Sequence, residues 1–237
     1  MEALLAEADA LLNTGRPDDA AALLRAKWEH APDNAALANA YACVCFHLGR
    51  TVEAKKIFAA LRDNFPPDAQ TLNNLGYLHL DEGDHAAAAA CFRQARELAP
   101  EDLEIRLNWA TALSRGGDAA GALQILDEII AATPRAVIAH NNRGVVLRRL
   151  ERLTEAREAF TAALALDPND ATALNNLGYL ELAAENLDAA KDYFTRAVAN
   201  APRNRAHAAN LALVERKLRE RRVESLELRV EITPAHS

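Results

Sequence analysis

Residues 171–204 read ATALNNLGYLELAAENLDAAKDYFTRAVANAPRN, and residues 69–102 read AQTLNNLGYLHLDEGDHAAAAACFRQARELAPED. Each segment has 34 residues and carries a proline at its position 32, and the same spacing continues along the chain. The prolines of this series are Pro32, Pro66, Pro100, Pro134, Pro168 and Pro202. Self-similarity at this period is typical of stacked helical repeats. The sequence therefore divides into six repeats, 1–34, 35–68, 69–102, 103–136, 137–170 and 171–204.

Small and large apolar residues fall in register across these repeats. Position 20 is always alanine: Ala20, Ala54, Ala88, Ala122, Ala156 and Ala190. Position 24 is leucine or phenylalanine: Leu24, Phe58, Phe92, Leu126, Phe160 and Phe194. A side chain as small as alanine is needed where two helices approach closely, because a larger one would overpack the contact. We therefore expect position 20 at a helix crossing and position 24 as the large side chain between repeats.

Three further positions predict where helices begin and end. Position 8 is small throughout, as expected at a second crossing: Ala8, Ala42, Gly76, Ala110, Gly144 and Gly178. Position 15 is glycine in four repeats and glutamate in the last two, and glycine supplies the left-handed residue that ends a helix. Position 34 is mostly Asn or Asp, which are strong N-caps for the next helix. Each repeat is predicted to be helix A, a glycine turn, helix B and a proline turn.

This pattern resembles the tetratricopeptide repeat family. The residues that match the family pattern best are Leu177-Gly178, Ala190, Phe194, Ala197 and Pro202 in the last repeat. The aromatic residue that the family has at position 11 is missing in every repeat. The resemblance implies an all-α fold, a right-handed α-α superhelix (solenoid) of six helix-turn-helix repeats plus a C-terminal capping helix.

Residues 205–222 are predicted to be that capping helix. Leu211, Val214 and Leu218 form an apolar stripe that can cover helix B of the last repeat. An open stack needs a terminal helix with a polar outer face. The other side is strongly charged and carries Arg216, Lys217, Arg219, Glu220, Arg221 and Arg222. This charged side is interpreted as a solvated cap surface, with an anionic partner or membrane surface as the alternative.

The tail, residues 223–237, changes its period. Leu226, Leu228, Val230 and Ile232 alternate with charged residues, which favours a strand. Val223, Leu226 and Val230 also fit helical spacing, so a helix extension remains the alternative. The hypothesis is a strand-like tail used for self-association or for pairing with a partner strand.

Composition limits the classes of partner and location. The formal net charge of −7 argues against nucleic acid, which requires a basic face. The three cysteines form neither a disulfide framework nor a zinc pattern. The N-terminus, MEALLAEADALL, lacks the basic start of a secretory leader, and no segment has the length of a membrane span. We expect a soluble cytoplasmic protein if the chain is complete, while removal of a leader would allow an exported one.

The resemblance implies a concave groove lined by the A helices, and asparagines recur at its positions 5 and 6. They are Asn39, Asn73, Asn141 and Asn175 at position 5, and Asn74, Asn108, Asn142 and Asn176 at position 6. An asparagine side chain both donates and accepts hydrogen bonds, so a row of them can pair with the backbone of an extended peptide. Tyr77 and Tyr179 at position 9 would add apolar contacts. The alternative is that these asparagines only hold the helices together.

Three arginines at positions 12 and 13 form a second candidate set. Arg115, Arg148 and Arg149 could bind a carboxylate in forked geometry. Alternatively, they compensate the dipoles at the helix C-termini.

The sequence contains no pattern typical of catalysis or of a cofactor. The seven histidines occupy unrelated repeat positions, and no metal-ligand spacing, phosphate-cradling loop or nucleophile elbow is present. We therefore expect no enzyme, no cofactor and no metal. The predicted function is a scaffold or adaptor that binds an extended peptide in the groove. The alternative is a dedicated chaperone or assembly factor for a secretion or pilus-type client.

Overall fold

The computed structural model describes residues 2–66 and 68–232, and the side chains of residues 3–66 and 68–223. Within this part of the chain every regular element is an α-helix, which confirms the all-α fold class. The helices are α1 (Glu2–Asn13), α2 (Pro17–Glu29), α3 (Ala35–His47), α4 (Thr51–Asn64), α5 (Ala69–Asp81), α6 (His85–Leu98), α7 (Leu103–Arg115), α8 (Ala119–Ala132), α9 (Val137–Arg149), α10 (Leu153–Leu166), α11 (Ala171–Ala183), α12 (Leu187–Asn200) and α13 (Arg205–Ile232). We call the odd-numbered helices A helices and the even-numbered ones B helices.

Asn and Asp residues at position 34 cap the N-termini of four A helices, as predicted. The side chain of Asn34 accepts a hydrogen bond from the amide of Leu37 at 3.1 Å, and Asp68 accepts one from the amide of Thr71 at 2.8 Å. Asp102 and Asp170 do the same for α7 and α11. Each carboxylate or amide oxygen thus satisfies one of the amides that a helix leaves unpaired at its first turn.

Position 15 adopts the left-handed backbone conformation in all six repeats. The four glycines there have φ between +73° and +95°, and Glu151 and Glu185 have φ of +58°. An L-residue with a Cβ is disfavoured in this region because the Cβ crowds the carbonyl oxygen. The last two repeats therefore keep the geometry of the glycine turn at an energetic cost.

Replacing Glu151 with glycine is expected to stabilise the protein by about 0.5–1 kcal/mol, because the strain at φ +58° is relieved. The matched control is Glu158→Gly, which makes the same change at an exposed position inside α10. That control should destabilise by about 1 kcal/mol, since glycine is a poor helix former. Urea denaturation measures both variants, and equal signs for the two would contradict the turn assignment.

The chain divides into two compact units, residues 1–122 and 123–237, with the boundary inside α8. In the first unit, Leu24, Tyr41 and Phe58 are almost fully buried in one cluster with Leu75 and Leu78. A further cluster surrounds Phe92 and includes Leu80, Ala88 and Ala112. In the second unit, one cluster surrounds Phe160 and another surrounds Phe194.

The in-register alanines are buried. All six residues at position 20 have 0% of their surface exposed, and the six large residues at position 24 have at most 1% exposed. Close helix approach is visible at position 8, where a Cβ built on Gly144 would lie 2.5 Å from Cε1 of Phe160. The same conflict recurs between Gly76 and Phe92 and between Gly178 and Phe194. Small residues at position 8 thus make room for the position-24 ring of the same repeat.

Helix α13 contains both the predicted cap and part of the tail. Leu211, Val214 and Leu218 pack with Phe194 and other apolar residues of α12. The strand predicted for the tail is wrong for residues 223–232, which continue α13 to Ile232. No glycine or proline lies between Arg205 and Ile232, and leucine, glutamate and arginine are good helix formers, so nothing ends the helix earlier. Residues 233–237 lie outside the described residues.

Candidate functional site

In the first unit, a chain of hydrogen bonds joins the asparagines of neighbouring A helices. The side-chain amide of Asn108 on α7 donates to Oδ1 of Asn73 on α5 at 3.0 Å. The hydroxyl of Tyr77 on α5 donates to Oδ1 of Asn108 at 2.9 Å. Asn73 is 2% exposed, so its amide is a buried polar group that requires a partner. Both polar atoms of Asn108 are thus engaged in tying α7 to α5.

The second unit repeats this arrangement with a residue of the capping helix. The side-chain amide of Asn210 on α13 donates to Oδ1 of Asn175 on α11 at 2.8 Å. The hydroxyl of Tyr179 on α11 donates to Oδ1 of Asn210 at 2.8 Å. The arrangement therefore requires Asn at position 5, Tyr at position 9 and Asn at position 6 of the next repeat. We call each of these trios an Asn–Tyr–Asn tie.

Two other A-helix pairs carry asparagines without the tyrosine, and their contacts differ. Asn74 on α5 donates to Sγ of Cys43 on α3 at 3.2 Å, where Cys43 occupies the tyrosine position. Oδ1 of Asn39 is buried without a hydrogen-bond partner. On α9, Asn141 donates to the N-cap carboxylate of Asp170 at 2.8 Å, while its own Oδ1 is buried without a partner. In both pairs the position-5 oxygen therefore lacks the amide that the position-6 asparagine donates in the Asn–Tyr–Asn ties.

Arg148 and Tyr179 come together on the A-helix side of the second unit. The guanidinium carbon of Arg148, at the end of α9, lies 5.9 Å from the centre of the Tyr179 ring. Nε of Arg148 is buried without a hydrogen-bond partner. Tyr179 is 37% exposed, yet its ring packs edge-on against Phe194 and its hydroxyl is held by Asn210. The surface therefore presents a positioned aromatic ring beside a cation.

The remaining predicted site residues are distributed over both units. Arg115 at the end of α7 and Arg149 at the end of α9 are exposed. Asn142 on α9 is half-buried, and Asn176 on α11 is 7% exposed. Burial of Asn73, Asn141 and Asn176 means that these three amides offer little surface to a ligand. The more accessible members in the second unit are half-buried Asn142, Arg148 and Asn175 and exposed Arg149 and Tyr179.

Sequence reasoning missed Asn210 as a participant, because it assigned this residue only to the cap. The spacing in the sequence could have indicated this role, because Asn175 and Asn210 are 35 residues apart, as are Asn73 and Asn108. Reasoning from the sequence also assigned no role to Glu181, which the family pattern would replace by an aromatic residue. Glu181 is 7% exposed and accepts hydrogen bonds from Arg157 on α10 and from Asn186 at 2.9 Å.

Burial and hydrogen bonding shift the pKa values of two residues beside these asparagines and tyrosines. Burial raises the pKa of the Cys43 thiol to about 11, so the thiol is neutral near pH 7 and is a poor nucleophile. Although burial opposes ionisation of Glu181, the hydrogen bonds from Asn186 and Arg157 lower its pKa overall. Among residues 2–66 and 68–232, no group of three or more His, Cys, Asp or Glu residues is placed to hold a metal ion.

In the part of the chain that the structure describes, no helix combines the length and the apolar character that crossing a bilayer requires.

Comparison with protein families gives matches along most of the chain. One tetratricopeptide repeat model matches residues 48–103, 73–136, 107–171 and 141–206, and a second matches residues 2–73. Together the matched segments run from residue 2 to residue 206. No curated protein matches the chain in sequence.

Solved structures with the same fold are numerous. A tetratricopeptide repeat protein from Parabacteroides merdae superimposes with a TM-score of 0.76 at 17% identity, covering 90% of this chain and 83% of that protein. A thermophilic protein of Thermus thermophilus gives 0.64 at 24% identity, covering 76% and 98%. YrrB, described as having an unusual peptide-binding site, gives 0.55 at 19% identity, covering 78% and 96%. These likenesses show the fold.

Proposed function

Because the chain belongs to the tetratricopeptide repeat family, we propose that it is a scaffold or adaptor that binds an extended acidic protein segment on its A helices. Repeats of this kind are protein-interaction modules, and proteins built from them are generally non-catalytic. YrrB, a protein of the same fold, is described as having a peptide-binding site, which supports a peptide as the ligand class.

One observation carries the proposal: the guanidinium of half-buried Arg148 lies over the exposed ring of Tyr179. Because Arg148 is only half-buried, part of its side chain is accessible to a ligand. A carboxylate bound there would form a charge-assisted hydrogen bond, which is stronger than a neutral one. We therefore assign the acidic residue of the ligand to Arg148, with exposed Arg149 as the adjacent positive charge.

Preorganisation supports the same assignment. The Tyr179 ring is held from behind by Phe194 and at its hydroxyl by Asn210, so binding would not need to order it. An apolar side chain of the ligand can then pack on the exposed part of the ring. Half-buried Asn142 and Asn175 lie on the same two A helices and would pair with the ligand backbone.

The first unit presents a corresponding set of residues on its A helices. Asn39, Asn74, Tyr77 and Arg115 lie on α3, α5 and α7, and all of them are at least partly exposed. We place the principal site in the second unit because a positioned aromatic ring and a cation lie side by side on its A helices.

The test is binding of an array of short synthetic peptides of random sequence to the purified chain. We expect the retained peptides to be enriched in Asp and Glu. Arg148→Ala should weaken the best peptide at least tenfold, about 1.4 kcal/mol, in calorimetric titration. The matched control is Arg196→Ala, because Arg196 lies 5.8 Å from the Tyr193 ring on α12, a B helix. The control should bind like the wild type.

Two outcomes would contradict this proposal. Retained peptides without acidic enrichment would remove the assignment to Arg148, and equal weakening by both arginine variants would reduce the effect to net charge. A dedicated chaperone, the alternative predicted from the sequence, would instead form a stable one-to-one complex with a single client and retain few array peptides.

A further inference from the structure

A cavity of about 560 Å³ lies between the first turns of α12 and the middle of α13, and it is open to solvent. Among the described residues its lining consists of Asp188 and Lys191 on α12 and of Glu215, Leu218, Arg219, Arg221 and Arg222 on α13. Volumes of about 300–1,000 Å³ are typical of small-molecule sites in proteins. The cavity therefore has the size of a ligand site, and a ligand can enter it without any movement of the two helices.

The cavity forms where α13 runs past the start of α12. Leu187 is the first residue of α12, and it packs in one apolar cluster with Leu218 of α13. At 3.6 residues per turn, the next positions on that side of α13 are Arg221 and Arg222. The side of α13 that is apolar against α12 thus becomes basic at the point where α12 no longer covers it.

Positive charge exceeds negative charge in this cavity. Four cationic side chains and two carboxylates line it, which gives a net charge of +2, whereas the whole chain carries −7. Nζ of Lys191 lies 3.9 Å from Oε1 of Glu215, so these two charges largely offset each other. Arg219 and Arg221 are exposed, and neither forms an ion pair with a residue that the structure describes. A positive cavity on an acidic protein concentrates anions at this point of the surface.

We propose that this cavity binds the phosphate group of a phosphate monoester. Such a group carries a charge of about −1.5 to −2 at pH 7, which matches the net charge of the cavity. Guanidinium groups donate paired hydrogen bonds to phosphate oxygens, so Arg219 and Arg221 are suited to hold it. Leu218 offers an apolar wall to the organic part of the ligand, while Asp188 repels the phosphate. The site shares no residue with the Arg148–Tyr179 surface, so it stands independently of the peptide site.

The test is calorimetric titration of the full chain with glycerol 3-phosphate, a soluble phosphate monoester, at low ionic strength, where surface charges are least screened. We expect saturable binding, and none for glycerol. Arg219→Gln together with Arg221→Gln should weaken the binding by roughly tenfold or more. The matched control is Arg203→Gln together with Arg205→Gln, which removes the same charge from exposed positions at the start of α13. This control should stay within about threefold of wild type.

Removal of the carboxylate tests the site in the opposite direction. Asp188→Asn should tighten the binding of glycerol 3-phosphate by about threefold or more, because the repulsion between Asp188 and the phosphate is lost. A misfolded variant would not gain affinity, and circular dichroism checks that every variant remains folded.

Sedimentation with lipid vesicles identifies the source of the phosphate. Phosphatidate, mixed into phosphatidylcholine vesicles, presents the same monoester as a lipid headgroup, and pure phosphatidylcholine vesicles are the blank. Sedimentation with phosphatidate that the Arg219/Arg221 variant loses assigns a lipid ligand, whereas binding of glycerol 3-phosphate alone assigns a soluble one. The proposal is overturned if neither probe binds, if both arginine pairs weaken binding equally, or if Asp188→Asn weakens it.

Discussion

Replacing Phe92 with alanine is expected to lower the free energy of unfolding of the first unit by about 3–5 kcal/mol. Phe92 is 0% exposed, and its cluster contains Leu80, Ala88 and Ala112. Its ring also packs edge-on against Tyr77, with 5.9 Å between ring centres. Alanine would leave a cavity that these neighbours from several helices cannot fill, so the loss exceeds the transfer free energy of the ring alone.

Both tryptophans of the chain, Trp28 and Trp109, lie in the first unit, so their fluorescence in urea reports this unfolding directly. Leu98→Ala is the matched control, because Leu98 is on the same helix α6 but is 48% exposed. It should cost less than about 1 kcal/mol. If Phe92→Ala also cost under about 1 kcal/mol, position 24 would not be the central packing position that the repeat pattern requires.

Replacing Gly144 with alanine is expected to destabilise the second unit by about 1–2 kcal/mol, although alanine is the better helix former by about 1 kcal/mol. The new Cβ would lie 2.5 Å from Cε1 of Phe160. Phe160 is 0% exposed and packs with Ala156, Ala159 and Leu177, so its ring has no room to retreat. Overpacking therefore outweighs the gain in helix propensity.

The first repeat suggests a compensating substitution for this variant, because it combines Ala8 at position 8 with Leu24 at position 24. Adding Phe160→Leu to Gly144→Ala should therefore cost less than the two single changes together, by at least about 1 kcal/mol. Urea denaturation followed by circular dichroism gives the energies, and hydrogen exchange of α9 and α10 localises the effect. Strict additivity of the two substitutions would show that the residues do not press on each other.

The fold was predictable because single residues that recur at the same position of each repeat mark both the repeat period and the packing positions. Ala88 and Ala156 recur at one position, and only a helix crossing explains a strictly small residue there. The tail was not predictable in the same way, since Leu226 and Val230 fit both a two-residue and a helical period. Continuity with the capping helix decided in favour of the helix.

The candidate site was predictable in its residues but not in its contacts. The sequence places Asn108 on a helix A face, but only the distance between neighbouring helices determines that its amide reaches Asn73. The alternative in which asparagines hold the helices together thus describes the Asn–Tyr–Asn ties. The unpartnered Nε of Arg148 depends on the side chains around it, which no repeat pattern specifies.

The central claim, that the A-helix side of the second unit binds an acidic peptide, is tested most directly by photo-crosslinking. The best acidic peptide from the array would carry a photoreactive group beside its acidic residue, and mass spectrometry would identify the residues it joins. We predict cross-links to α9 and α11 near Arg148 and Tyr179, abolished by excess unlabelled peptide. Cross-links confined to the B helices α10 and α12 would contradict the claim.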